Sequence, residues 1–283
     1  MNDSHTIKTH KIKTIVVCFS GLDPSGGAGL QADIESLNAH NCHCLPLATL
    51  NSVQDSQSVY KIIATDVNIL EEQFTILHAD IKKAGKKIDA IKIGMLGSLE
   101  QINFLSVILK QFKNTPIILD PIFASGLGNE LAIQQHIIHF VKKLLPFCTV
   151  ATPNSKEALQ LARTLNPSLN ESSPINEIAE LILSTGLENL VITGTHSKTE
   201  HAIIEHHLFS KNEHIVFEVA RLAGEYHGSG CTFAASLAAN LSHGCSLKSS
   251  VQSALNFTQQ ALEQAIVIGC HQQFPNRRTK QNE

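Results

Sequence analysis

The 283-residue chain has no apolar run near the about eighteen residues that a bilayer-spanning helix requires. No membrane span is expected. It also lacks any block of like charge, and its net charge is -3 with histidine neutral. Nucleic-acid grooves and membrane-binding patches need clustered cations, so a small-molecule partner is expected in place of nucleic acid or membrane. There is no internal repeat and no low-complexity linker, which favours one large domain over an array. Zinc-site spacing is missing too. His136 and His139 lie three apart, and Cys42-His43-Cys44 is a tight cluster, but neither has a second pair. The N-terminal MNDSHTIKTHKIK is polar, and the apolar run behind it is only about seven residues, too short for a signal segment. A cytoplasmic protein is expected, with its seven cysteines, an odd number, as free thiols.

What is present is an ordinary globular composition, 43% hydrophobic and 17% charged, arranged as alternating strands and helices. TIVVCF (14–19), LPLATL (45–50), AIKIGML (90–96), PIILDPIF (116–123), TVATPN (149–154) and LVITG (190–194) read as buried strands. Helices are expected over 30–39, 66–83 with Asp66 as N-cap, 100–112, 131–145 and onward from Ser155. A polar turn is expected around Gln54 and Asp55, and a long loop over 166–174. Segments 203–209 and 214–219 read as an antiparallel hairpin. Helices over 229–242 and 247–268 close the chain. The pattern implies an α/β fold: a central, mostly parallel sheet with helices on both faces and a small antiparallel edge hairpin. The single domain spans 14–268, with 1–13 and 269–283 as flexible tails.

Motifs fall where ligands bind in such folds, at the carboxyl ends of strands: 21–29, 94–96, 120–128, 152–157 and 193–196. A further one opens a helix. In His227-Gly228-Ser229-Gly230-Cys231, small residues free backbone N–H groups to face an anion at a helix N-terminus. Cys231 falls in the first turn, where the same field favours a thiolate. An anion cradle beside an activatable group suggests phosphoryl transfer. His227 alone reads as a structural residue. Asn154 and Glu157 form an Asn-x-x-Glu pattern after a strand. Glu157 is either a favourable charge in a first helical turn or a Mg²⁺ ligand, and Asp120 is a second acidic candidate.

GLDPSGGAGLQAD, the turn ending in Gln54, KIGML, LDP, TPNSKEA and HGSGCTFAASLAA, in this order, resemble the hydroxymethylpyrimidine/phosphomethylpyrimidine kinases of thiamine biosynthesis. These form part of the ribokinase-like superfamily, and the resemblance covers about 14–268. It implies a three-layer ribokinase-like fold and ATP-dependent phosphorylation of 4-amino-5-hydroxymethyl-2-methylpyrimidine, then of its monophosphate. It also implies ATP and Mg²⁺ as cofactors and a homodimer. Cys231 matches the position of the catalytic base, with Gly228, Ser229 and Gly230 as the anion hole. Residues matching Gly21, Ala28, Gln54, Met95 and Ile122 surround the substrate ring, with Asp23 beside Gln54 as a polar partner. Asn154, Thr193, Gly194, Gly228 and Gly230 match nucleotide-binding positions, and Glu157 with Asp120 the metal site.

The chain departs from the pattern at three places. Many relatives carry lysine where Thr193 stands. The loop after Asp120, with Gly126 and Gly128, is short and lacks a lysine. The usual C-terminal Gly-x-Gly-Pro is replaced by IGCHQQFPNR. A pyridoxal or pyridoxine kinase is the nearest alternative, and a noncatalytic pyrimidine-binding protein the alternative from another class.

Overall fold

The computed structural model describes residues 14–123, 130–194 and 202–278. In chain order the elements are β1 (Thr14–Leu22), α1 (Gly29–Ala39), β2 (Cys42–Gln54), β3 (Val59–Ala64), α2 (Val67–Lys83), β4 (Ala90–Ile93) and α3 (Leu99–Ile108). Then follow β5 (Ile117–Leu119), α4 (Glu130–Lys143), β6 (Val150–Ala151), α5 (Ser155–Arg163), α6 (Ile175–Leu183) and β7 (Asn189–Ile192). The chain continues through β8 (Ile203–Ser210), β9 (His214–Ala220), α7 (Ser229–Ser242) and α8 (Leu247–Glu263).

All nine strands form one sheet in the order β3-β2-β1-β4-β5-β6-β7-β8-β9. β2, β1, β4, β5, β6 and β7 run parallel; β3 pairs antiparallel with β2 at one edge, and at the other β8 pairs antiparallel with both β7 and β9. Side chains alternate across each strand, so each strand feeds two cores. Val17 and Phe19 of β1, with Ile91 and Ile93 of β4, pack against Phe74, Leu105, Phe140, Leu161 and Ile182 of α2 to α6. Val16 and Cys18, with Ala90, Ile118, Val150 and Val191, pack against Leu37 of α1, Leu237 and Ala238 of α7, and Val251 and Ala254 of α8. The sheet is thus the middle of three layers, as the sequence implies.

Local chemistry accounts for several boundaries. Asp66 caps α2 by accepting the Asn68 N–H, and Ser98 caps α3 by accepting that of Gln101. α7 is buried at every position from Cys231 to Ala239, so it is a core helix with no polar face. Its alanines let it lie close to β1, β4 and β5, which brings its N-terminus over the carboxyl ends of these strands.

The differences from expectation have physical causes. Gln54 ends a long strand, and the turn lies after it. β3 was not expected, because it buries no residue and shows no alternation. α6 follows the expected loop. α8 stops at Glu263, and where a mobile tail was expected Phe274 and Arg277 are buried, with Cys270, His271 and Arg278 exposed. The loop glycines Gly126 and Gly128 and the residues after Gly194 lie outside the described residues. Among the described residues no helix is long and apolar enough to cross a membrane.

Candidate active site

Two glycine-rich turns meet above the sheet. The first joins β1 to α1, and its shape is set by Asp23. One carboxylate oxygen accepts the Ser25 N–H at 2.8 Å and the Ser25 hydroxyl at 2.7 Å; the other accepts the Ala28 N–H at 2.9 Å. The second turn enters α7 through Gly228, in the left-handed region at φ 87°. A Cβ there would also strike the Gly27 carbonyl, so glycine is required twice over. His227 joins the turns, its Nε2 lying 2.8 Å from Asp23 Oδ2 and 3.2 Å from Gln54 Nε2. Burial opposes the Asp23 charge, but the His227 and Ser25 side chains and two backbone N–H groups outweigh it, so Asp23 is held well below the usual carboxylate range.

A cavity of about 140 Å³ opens beneath these turns. Gly21, Asp23, Ala28, Gln54, Met95 and Ile122, the residues expected around a substrate ring, all line it. So do Leu50, Val59 and Ile62 from β2 and β3, His227, Lys92 and Cys231. Its walls are mostly apolar, with a few convergent polar groups, as suits a small heterocycle. On the other side of the α7 N-terminus lies a second cavity, of about 60 Å³. Ser229, Gly230 and Thr193 line it together with His206, Phe233, Thr258 and Gln259. The first turn of α7 therefore stands between two cavities, with Cys231 facing one and Ser229 and Gly230 the other.

Asn154, Gly194, Gly228, Glu157 and Asp120 line neither cavity. Asn154 and Glu157 form a capping box at the start of α5: Glu157 Oε2 accepts the Asn154 N–H at 2.9 Å, and Asn154 Oδ1 accepts the Glu157 N–H at 3.0 Å. The first-turn role is thus present. Burial, and then the charge of Asp120, nevertheless push Glu157 up to about 8. Asp120 is itself 3% exposed and raised by burial, with Lys92 pulling it back and Asp33 adding to the rise.

Sequence reasoning overlooked Lys92, a lysine with no exposed surface in the middle of β4. Its ammonium lies 3.0 Å from Asp33 Oδ1 and 3.6 Å from Asp120 Oδ2, and donates to Ser20 Oγ at 3.1 Å. Burial disfavours the cation, but the carboxylates of Asp33 and Asp120 more than compensate, so it stays charged. The available signal was a cation inside the apolar strand Ala90–Ile93, which demands a buried partner. Asp33 on α1 meets that demand.

Cys231 corrects one expectation. It is 4% exposed, and burial, reinforced by the carboxylates of Asp120 and Asp33, pushes its thiol up to about 12. Lys92 and the Gly29 N–H oppose this and lose. The group at rest is a thiol, not the thiolate that a helix N-terminus alone would favour. His227 lines the cavity and links Asp23 to Gln54.

Comparison with known proteins places this geometry. A family model described as phosphomethylpyrimidine kinase matches residues 23–276. A hydroxymethylpyrimidine/phosphomethylpyrimidine kinase of Saccharomyces cerevisiae is 29% identical over 263 residues, which are 90% of this chain and 46% of that protein. One of the same description from Aquifex aeolicus is 27% identical over 256 residues, covering 90% of this chain and 96% of the relative. Against the first three relatives found, the chain spans about half of their length. Among solved structures, an ADP complex of Bacillus subtilis pyridoxal kinase superposes with a TM-score of 0.81 at 25% identity, covering 93% of this chain and 97% of the other.

Proposed function

Because the chain belongs to the phosphomethylpyrimidine kinase family, we propose that it transfers the γ-phosphoryl group of ATP to the hydroxymethyl group of 4-amino-5-hydroxymethyl-2-methylpyrimidine. The resulting monophosphate is then phosphorylated at the same site, in thiamine biosynthesis. The observation that carries this reading is the α7 N-terminus between two cavities. The heterocycle occupies the larger, between Met95 and Ile122, with Asp23 and Gln54 as its polar partners. The nucleotide approaches through the smaller, past Thr193, Gly194 and Asn154. The ADP complex of the Bacillus subtilis pyridoxal kinase supports a nucleotide as the second substrate.

In the transfer, the alcohol oxygen bonds to the γ-phosphorus while the bond to the departing ADP breaks. The N–H groups of Gly228, Ser229 and Gly230 lie where charge develops on the transferring group, a resource that usually outweighs base catalysis in this chemistry. Cys231 receives the alcohol proton. Since it rests as a thiol, its own proton must first leave to solvent through the cavity that Cys231 lines. That cost leaves the larger share of the rate to positioning and the helix N-terminus.

Asp120 and Glu157 suit a hard cation. Asp120 is buried and Glu157 partly so, and the two repel each other; Asp120 Oδ2 accepts no hydrogen bond among the described residues and has the Lys92 ammonium at 3.6 Å. Mg²⁺ usually binds through one or two carboxylates together with substrate phosphates and water. When bound, Mg²⁺ would neutralise phosphate charge. Exposed Val53, Tyr60 and Ile63 on the β2–β3 edge support a homodimer, and the free cysteines fit a cytoplasmic location.

A pyridoxal or pyridoxine kinase is the second reading, favoured by the structural likeness to pyridoxal kinase. A noncatalytic binder is the third, motivated by Thr193. ATP consumption with the pyrimidine alcohol, its monophosphate and pyridoxal, with and without Mg²⁺, separates them. The proposal expects Mg²⁺-dependent turnover of both pyrimidines. Turnover of pyridoxal alone supports the second reading. Binding without turnover of any compound supports the third.

A further inference from the structure

The C-terminal segment that replaces the family's usual signature returns from α8 across both glycine-rich turns. Ile266 and Phe274 pair as an antiparallel bridge. The Gln272 N–H donates to the Ser56 carbonyl at 3.2 Å, and the His227 N–H donates to the Gln273 carbonyl at 2.9 Å. The Phe274 ring lies 5.8 Å from that of His227. Beyond it Arg277 is 2% exposed. Its Nε donates to Thr232 Oγ1 at 2.7 Å, one terminal nitrogen donates to Glu35 Oε2 at 3.1 Å, and the other donates to the Gly27 carbonyl.

These partners sit at one junction. The Thr232 hydroxyl donates onward to the Gly228 carbonyl at 2.8 Å. The Gly27 carbonyl is the atom that a Cβ on Gly228 would meet first. The guanidinium therefore grips the two turns where they touch each other, directly at Gly27 and through one hydroxyl at Gly228. A planar guanidinium fixes its acceptors in a set geometry, which a lysine ammonium on a flexible stem does not.

We propose that Arg277 is a positioning residue that sets the spacing between the turn bearing Asp23, at the heterocycle cavity, and the turn bearing Gly228 to Cys231, at the phosphoryl cradle. It lines neither cavity, and acts through Gly27 and Thr232. The kinetic half of this inference rests on the kinase reading; the structural half does not. In a reaction dominated by positioning, misplacement by about 1 Å costs up to about a hundredfold in rate. Lysine retains the charge near Glu35, but its donors sit on one nitrogen and cannot reach acceptors that three separate guanidinium nitrogens meet.

The test compares Arg277→Met and Arg277→Lys with the wild-type full-length chain, by amide hydrogen exchange and steady-state kinetics. Exchange should accelerate in peptides covering both 21–31 and 226–233, while β4 stays protected. Turnover should fall by about tenfold or more, with the KM for ATP changed less than about twofold, and Arg277→Lys should lie between. If Arg277→Met does not fold, Arg277→Lys carries the same comparison. Wild-type exchange in both turns of a folded variant overturns the proposal. So does acceleration confined to 272–278, or acceleration spread evenly into β4 with unchanged turnover. If the wild-type protein phosphorylates neither heterocycle, the kinase reading fails, and exchange in the two turns still decides the role of Arg277.

Discussion

At Cys231 two fields oppose each other. The N-terminus of α7 favours a thiolate, whereas burial and the carboxylates of Asp120 and Asp33 favour the thiol, and burial wins. Brief alkylation near neutral pH should therefore label the exposed Cys245 and Cys270 well before Cys231, as read by peptide mass spectrometry. Rapid, selective labelling of Cys231 would contradict this account of its environment. Lys92 shows the converse, a buried cation kept charged by its neighbours. Lys92→Met leaves Asp33 and Asp120 without it, and breaking a buried pair from one side costs about 3–5 kcal/mol. Denaturant unfolding should show a loss of that order; a change within about 0.5 kcal/mol, as at ordinary surface sites, would mean the pair is dispensable.

Among the elements, those with a buried face were legible. The alternation of Val16 and Cys18 against Val17 and Phe19 marks a strand feeding two cores, and Asp66 marks the start of α2. β3 was hidden because its edge position buries no residue, so nothing in its sequence alternates. The strap after α8 was hidden for a different reason. Gln272, Gln273 and Arg277 read as solvent-facing, and partners more than 40 residues away hold them, burying Arg277. The β8–β9 hairpin was legible, but not the burial of His206 within it. Burial, with His207 beside it, pushes His206 down to about 4, against an ordinary value of about 6.5. Between these values the unfolded chain binds a proton that the folded chain refuses, so stability falls as pH drops from about 6.5 to about 4. His206→Phe should flatten that part of the stability–pH curve, measured by thermal unfolding. An unchanged slope in the variant would assign the acid sensitivity elsewhere.

Across the whole molecule, the sequence placed most site residues at the carboxyl ends of the strands, and the ring-lining set does share one cavity. What it could not show is that α7 divides this cavity from a second one. That second wall is assembled from β8, β9 and α8, remote in sequence from the glycine-rich turns and without a motif of their own. On the proposed function, a single cradle between these two cavities leads us to expect both phosphorylations at one site. The most direct measurement is a competition experiment with Mg²⁺-ATP, in which 4-amino-5-hydroxymethyl-2-methylpyrimidine and its monophosphate are supplied together and each phosphorylation is followed separately. The account predicts that each compound inhibits phosphorylation of the other competitively, with an inhibition constant equal to its own KM. Two phosphorylations that proceed without mutual inhibition would contradict it.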